Sequence, residues 1–438
     1  PGLPMIIDNQ DALGVFKDKL DFFLFHNRQI VNRCDDSIIR FVNENPVFLR
    51  RSRGYAPMPY HFRIPSDCSA LALGGDLCVT ATFAKNGRFY SSQHIGDASH
   101  LETLEFLRQA IDRLAKLLRV PSVDMVICDL HPHYSTTREA KQIAEHFGTR
   151  VYQVQHHYAH LAGLMAEHGA AEAIGIVADG AGYGTDGKIW GGEVIIAERE
   201  SMRRIGGLSY QPMVGGDLAT IYPARMVAGI LSRSFTLAET KRVLLEHCLS
   251  GFPKGEKEID TILHQLERNV NVHWTSSTGR VLDAISCLLG ICNRRTYEGE
   301  PAMKLESAAA LGDPTEVELS VEIKKENGRY ALDTTTLLTE ILNALRKRVP
   351  RKHIAASAQQ AVARGLGAMA VKAAESTGIK TIGVSGGVFY NDTITRTIHS
   401  MVEEHGYRFI SHREVPPGDG GLSVGQAALA LTRPKQLV

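Results

Sequence analysis

An α/β protein of two duplicated lobes is what this sequence predicts, on three observations. A unit made of a strand, a Gly/Asp turn and a hairpin occurs twice, at 71–93 and at 174–194. Between and after these units, apolar strand-like runs alternate with helical periodicity, the pattern of a parallel or mixed sheet covered by helices. Late in the chain a small-residue helix over 355–376 leads into a strand at 381–384 that ends at Ser385-Gly386-Gly387-Val388. Lobes joined this way favour a nucleotide-sized ligand between them.

The elements follow in order. Residues 8–25 carry helical periodicity, and 37–42 and 47–51 read as short half-buried strands. Gly54-Tyr55-Ala56-Pro57-Met58-Pro59-Tyr60 is a turn-rich connector, which sets a boundary between a small unit at 1–58 and a main body at 59–438. About sixty residues are too few for an independent domain of this kind, so the first unit reads as the tail of one. The opening Pro1-Gly2-Leu3-Pro4, with no initiator Met and no leader, likewise reads as the start of a piece of something longer. In the main body, Leu71-Ala72-Leu73-Gly74-Gly75-Asp76 enters the first repeat, which turns at Asn86-Gly87. Ile174-Gly175-Ile176-Val177-Ala178-Asp179-Gly180 enters the second, which turns at Asp186-Gly187. A helix over 101–118, a strand over 123–128 and a helix over 137–147 lie between the two copies.

Composition narrows the function classes. With 438 residues, 44% hydrophobic and 22% charged, the chain has the make-up of a soluble globular enzyme, and no apolar run approaches the length of a membrane span. Forty-nine basic residues nearly balance 48 acidic ones, which argues against a broad nucleic-acid-binding surface. The seven cysteines include no Cys-x-x-Cys pair and suit a reducing compartment, so the expected location is the cytoplasm. None has a neighbouring histidine or glycine-rich elbow to activate it as a nucleophile.

The chemistry concentrates in Gln155-His156-His157-Tyr158-Ala159-His160 and in the glycine-studded stretch from Asp179 to Gly187. On a helix, His156 and His160 at i and i+4 leave one face and can grip one metal ion. The competing reading is a packed or solvated histidine cluster. His157, about 100° round the helix, takes a supporting role. Asp179 is one candidate for a further ligand and Asp419, in Pro416-Pro417-Gly418-Asp419-Gly420-Gly421, is another. Imidazoles plus carboxylates suit zinc or iron, with magnesium a further option alongside a nucleotide. Gly180, Gly182 and Gly184 have the spacing of a backbone phosphate cradle. Gly386-Gly387, followed by Asn391, offers a second backbone approach, and Gly215-Gly216-Asp217 a third whose carboxylate can accept ribose hydroxyls. The charge run Arg50-Arg51-Ser52-Arg53 is either a solvated face or a set of phosphate or carboxylate forks.

Taken in order, Arg33-Cys34-Asp35-Asp36-Ser37, Arg50-Arg51-Ser52-Arg53-Gly54-Tyr55-Ala56-Pro57, Cys128-Asp129-Leu130-His131-Pro132, the histidine run, Asp179-Gly180 and Gly386-Gly387-Val388-Phe389 resemble the HypF family over nearly the whole chain. These are the carbamoyltransferases of NiFe-hydrogenase maturation. The resemblance implies that 1–58 is the end of a YrdC-like carbamoyl-adenylate-forming domain. It implies that 59–438 is a carbamoyltransferase domain of the actin-like, sugar-kinase-like ATPase fold. It further implies that carbamoyl phosphate and ATP yield carbamoyl adenylate, whose carbamoyl group passes to the C-terminal cysteine of the partner HypE for cyanide ligand synthesis. By the same match, His156, His160 and Asp179 are the catalytic metal ligands together with Asp419. The nucleotide would be held by Gly180, Gly182, Gly184, Gly215, Gly216, Asp217, Gly386, Gly387 and Asn391.

The sequence departs from the family pattern in several places. The acylphosphatase domain, the paired Cys-x-x-Cys zinc fingers and the front of the YrdC-like domain are not in it, so the transfer half of the reaction is what it is expected to perform. Leu77-Cys78-Val79-Thr80 stands where the family has Leu-Lys-Asn-Thr, which removes a cation. The competing functions are O-carbamoyl transfer to a small-molecule hydroxyl, in which the order of the two domains is expected to be reversed, and a non-catalytic nucleotide-binding scaffold that docks HypE. A tRNA-modifying enzyme ranks lower because the charge is near neutral.

Overall fold

The computed structural model describes residues 6–438; Pro1-Gly2-Leu3-Pro4 lies outside them. Two large sheets carry the main body. The first orders its strands Tyr60–His61, Arg88–Ser91, Thr82–Lys85, Ala70–Ala72, Met125–Asp129 and Arg150–Val154. The spine of the second is Met202–Leu208, Ile189–Ala197, Ala173–Tyr183, Thr381–Ser385 and Arg408–Ile410. In each, the first strand of the lobe pairs antiparallel with the second and the second with the third, while the first pairs parallel with the fourth and the fourth with the fifth. The shared order, third-second-first-fourth-fifth, is the duplicated actin-like frame. Strands Ile323–Glu326 and Arg329–Leu332 extend the second sheet, and Gln211–Val214 pairs with Val272–Thr275 beside it.

One detail of the repeat differs from the expectation. Asn86-Gly87 joins the second and third strands of its lobe, whereas Asp186-Gly187 joins the first and second of the other. The two turns are therefore not equivalent. The counterpart of the Asp179 stretch is the 73–81 loop with Gly74-Gly75-Asp76. Strand–Asx-Gly–strand is a local signal that any hairpin emits, so it cannot by itself set the register of a duplication.

Helices form where one face can be buried. Leu101–Leu118 turns Phe106, Leu107, Ala110, Ile111 and Leu114 onto the first sheet and ends at Arg119 in the left-handed region. Each large apolar side chain so buried contributes roughly 1.5–3 kcal/mol. Helices His156–His168 and Leu422–Thr432 lie between the two sheets, in a core that also takes Ala72 and Ile127 from one sheet and Val177 and Ile195 from the other. They cross at glycine: a Cβ on Gly425 would stand 2.0 Å from the Ala159 carbonyl oxygen, and one on Gly163 would stand 3.3 Å from Gly425. This close crossing brings the N-terminal ends of both helices to the carboxyl ends of the parallel strands, where open α/β sheets bind ligands. No described helix is long and apolar enough to cross a membrane.

The N-terminal unit is less regular than its sequence pattern. The helix covers Asn9–Phe16 instead of 8–25; it is capped by Asp8 but buries no residue, so nothing rewards its extension. Strands Ile38–Val42 and Asn45–Arg50 form a ribbon that docks on the second lobe. Arg40 pairs with Glu306 at 2.9 Å, and the Asn43 N–H donates to Asp392 at 2.6 Å.

Candidate metal centre between the lobes

Each element delivers one part of a four-residue cluster. Gln155 caps helix His156–His168 by accepting from the Tyr158 N–H, which fixes the start of the helix, where His156 sits with His160 one turn on. Asp179 stands seven residues into the long strand of the second lobe, and Asp419 opens the short turn before helix Leu422–Thr432. One ligand atom from each of His156, His160, Asp179 and Asp419 lies within 4.8 Å of all the others. The Nε2 atoms of His156 and His160 are 3.4 and 3.3 Å from Asp179 Oδ2, and both are 3.5 Å from Asp419 Oδ1. Ligands bound tetrahedrally at ~2.1 Å would stand about 3.4 Å apart.

The electrostatics ask for positive charge. Burial alone would lower the pKa of His156, yet the carboxylates of Asp129 and Asp419, with Asp179, hold it well above its ordinary value. His160 is raised in the same way against its burial, by Asp179 and Asp419. Burial would raise Asp179, but the two imidazoles hold its carboxyl well below the usual range. Two neutral imidazoles and two carboxylates carry a charge that one divalent cation cancels. Among the described residues, His160 Nε2 is buried without a hydrogen-bonded partner. The donor set, its spacing and this orphaned nitrogen fit zinc or iron.

Asp129 is a site residue that sequence reading passed over. Its carboxylate accepts from His156 Nδ1 at 2.8 Å and is wholly buried, which leaves Nε2 as the atom turned toward the cluster and free to ligate once a cation displaces its proton. The available signal was an aspartate at the carboxyl end of an apolar strand, in Cys128-Asp129-Leu130-His131-Pro132. His157 is buried and held well below its ordinary pKa, by burial and then by the charge of His156, and packs near Trp190. Glu298 is a surface residue whose carboxyl is pushed up to about 7 by partial desolvation and by the fields of Asp419 and Asp179. Burial, then the charges of Glu298, Asp419 and Asp179, push the Cys78 thiol up, away from the thiolate form a nucleophile needs.

The expected nucleotide contacts divide. Gly180 faces open space, and its N–H donates to Asp179 Oδ1. Gly182 and Gly184 do not form a cradle: 179–183 continue the strand, and a Cβ at Gly182 would meet His157 and His156 at 2.5 and 2.8 Å, one at Gly184 the Trp190 ring at 2.2 Å. Those glycines admit side chains from behind. The Gly387 N–H donates to Asp179 Oδ1 at 3.2 Å, so the Gly386-Gly387 turn adjoins the cluster. The Asn391 side chain is already engaged, capping helix Asp392–Glu404 and donating to Gln359. Gly215 and Gly216 turn the chain after Gln211–Val214, and Asp217 follows them with an exposed carboxylate that caps no helix. They are not members of the four-residue cluster. Asp76 accepts from Ser135 and Thr136 and so anchors a helix start. The arginine run is likewise engaged: Arg50 pairs with Asp35 at 2.5 Å, Arg51 stacks on Tyr60, and Arg53 pairs with Asp36 at 3.4 Å.

Comparison with known proteins follows this division. Residues 65–167 match the family described as the HypF Kae1-like domain, and 175–426 match the second subdomain of the carbamoyltransferase Kae1-like domain. The chain is 42% identical over 427 residues to the probable carbamoyltransferase HypF of Methanocaldococcus jannaschii, covering 97% of this chain and 54% of that protein. It is 33% identical to carbamoyltransferase HypF2 of Cupriavidus necator, covering 99% and 55%. The crystal structure of HypF from T. kodakarensis superposes with a TM-score of 0.92 at 43% identity, over 99% of this chain and 56% of that one. A full-length HypF in a phosphate- and nucleotide-bound form superposes with a TM-score of 0.89 at 34% identity, over 98% and 66%. The chain thus spans about half the length of the curated relatives it matches. With both lobes matched in order and the likeness running from end to end, the chain belongs to the HypF carbamoyltransferase family.

Proposed function

We propose that this chain performs the transfer half of a carbamoyltransferase reaction, moving the carbamoyl group of carbamoyl adenylate to the C-terminal cysteine thiolate of HypE for cyanide ligand synthesis. The observation that carries the reading is the cluster of His156, His160, Asp179 and Asp419 at the carboxyl ends of both sheets, with open space at Gly180 and the Gly387 N–H donating to Asp179 beside it. In the reaction, the thiolate sulfur bonds to the carbamoyl carbon, and the bond from that carbon to the phosphate oxygen breaks. AMP leaves with the electron pair. A zinc or iron ion held by the four residues would supply Lewis acidity toward the carbamoyl or phosphate oxygen.

The chain's own residues have definite parts. Asp129 orients His156. The Gly180 and Gly386-Gly387 backbone, with the Gly215-Gly216-Asp217 turn, is the surface we assign to the nucleotide. That the Cys78, Cys128, Cys287 and Cys292 thiols are all held above their ordinary pKa agrees with a nucleophile arriving on a partner. Residues 1–58 are assigned to the end of the YrdC-like domain, and carbamoyl phosphate and ATP to the step that precedes transfer.

Substituting His160→Ala tests the reading. Transfer from supplied carbamoyl adenylate to HypE should fall at least a hundredfold, together with the bound metal. Undiminished transfer would refute a metal-assisted mechanism.

A further inference from the structure

Behind the metal cluster, three buried side chains that the reaction does not use form a continuous relay. The Glu167 carboxylate accepts from His412 Nδ1 at 3.0 Å, and His412 Nε2 meets the Ser385 hydroxyl at 2.8 Å. That hydroxyl also lies 3.2 Å from the His160 carbonyl oxygen. Ser385 is 0% and His412 3% exposed. The order serine–histidine–carboxylate is that of a hydrolase triad, but a fully enclosed hydroxyl has no room for a substrate carbonyl, so nucleophilic catalysis does not follow.

The relay's meaning lies in the segments it ties. Glu167 is in the last turn of the helix that carries His156 and His160. Ser385 ends the strand that delivers Gly386 and Gly387. His412 sits seven residues before Asp419. Glu167 also accepts from the Arg413 and Glu414 N–H groups at 2.9 and 2.5 Å, and His168 Nε2 meets the Ser411 carbonyl oxygen at 2.8 Å. Burial would raise the Glu167 carboxyl, yet these donors hold it below the ordinary carboxylate range. Between His412 and Asp419 the chain passes through Pro416 and Pro417, whose fixed φ stiffens the connection. The Pro417 carbonyl oxygen accepts from the Gly386 N–H at 2.9 Å.

We propose that Glu167, His412 and Ser385 are positioning residues that hold Asp419 and the Gly386 turn in register with His156 and His160, and thereby set the metal affinity of the site. This rests on reading the four-residue cluster as a metal centre. Outer partners of metal sites typically change affinity 10–100-fold when removed; a link acting through a loop belongs at the lower end.

The test is zinc affinity, by competition with a chromophoric chelator, for the whole chain and its variants. His412→Ala should bind roughly tenfold more weakly. His412→Asn, whose amide can donate to Glu167 from the Nδ1 position, should recover most of the affinity. A merely structural role predicts no such rescue. An affinity for His412→Ala within twofold of the wild type, or no recovery in His412→Asn, overturns the relay. Should His412→Ala not fold, Ser385→Ala and Glu167→Gln decide it on the same measurement. A wild-type chain that takes up neither zinc nor iron would overturn the metal reading and the relay together, whereas normal wild-type uptake with an unchanged variant overturns the relay alone.

Discussion

Asp129 and His156 are joined by a 2.8 Å hydrogen bond at a point where both are fully buried, 27 residues apart in sequence. The bond fixes the orientation of the imidazole and aims its Nε2 atom at Asp179 and Asp419. The aspartate therefore belongs to the site without touching its centre.

Asp129→Asn follows directly. The amide keeps the shape but loses the charge and can present the wrong atom to Nδ1. Metal affinity should fall 10–100-fold while the fold persists, as measured by chelator competition alongside circular dichroism. An unchanged affinity would show that His156 is oriented by packing alone.

Gly182→Ala and Gly180→Ala separate packing from ligand contact. A methyl group at 182 would press on His156 and His157, so this variant should lose about 1–3 kcal/mol of stability and bind metal weakly. The same change at 180 enters open space and should leave the melting temperature nearly unchanged. If Gly180 lines the nucleotide, nucleotide affinity should drop in that variant alone. Equal melting temperatures for both would contradict the packing role of Gly182.

Gly425→Ala probes the helix crossing that assembles the centre. The added carbon would stand 2.0 Å from the Ala159 carbonyl oxygen, so helices His156–His168 and Leu422–Thr432 must part. Overpacking of this kind costs about 1–3 kcal/mol, and the backbone location puts it at the upper end. Thermal unfolding measures it; a neutral result would mean that the crossing is loose.

These cases show what was legible in the sequence and what was not. The i, i+4 histidines and the two Gly-flanked aspartates could be read because each carries a local signature. Two duplicated α/β lobes were readable from strand–helix alternation and the actin-like fold from the resemblance to the HypF family, but the register of the repeat was not, since its two Asx-Gly turns join different strand pairs. Asp129 was missed because its bond to His156 depends on where the strand Met125–Asp129 ends beside the start of a later helix, and no spacing rule encodes that. Gly182 and Gly184 looked like a phosphate cradle because a glycine that admits a ligand and one that admits a neighbouring ring are identical in sequence. The helix expected over 8–25 stops at Phe16 because periodicity reports a face but not whether anything packs on it.

The Glu167 carboxylate supplies a pH-dependent prediction. Its pKa is depressed in the folded protein, because donors from His412, Arg413 and Glu414 outweigh the burial that would raise it. A depressed carboxyl stabilises the fold above its unfolded pKa, ~4.3, and that contribution disappears as the pH falls through the lower folded value. Glu167→Gln, which cannot ionise, should therefore be less stable than the wild type at pH 6–7. The difference should narrow steadily below about pH 4.3 as the wild-type carboxyl takes up its proton. Urea unfolding of both proteins between about pH 3 and 7 measures the gap. A gap of constant size across that range would mean that the Glu167 carboxyl titrates alike in the folded and unfolded chains, and its donors would then be holding shape without holding charge.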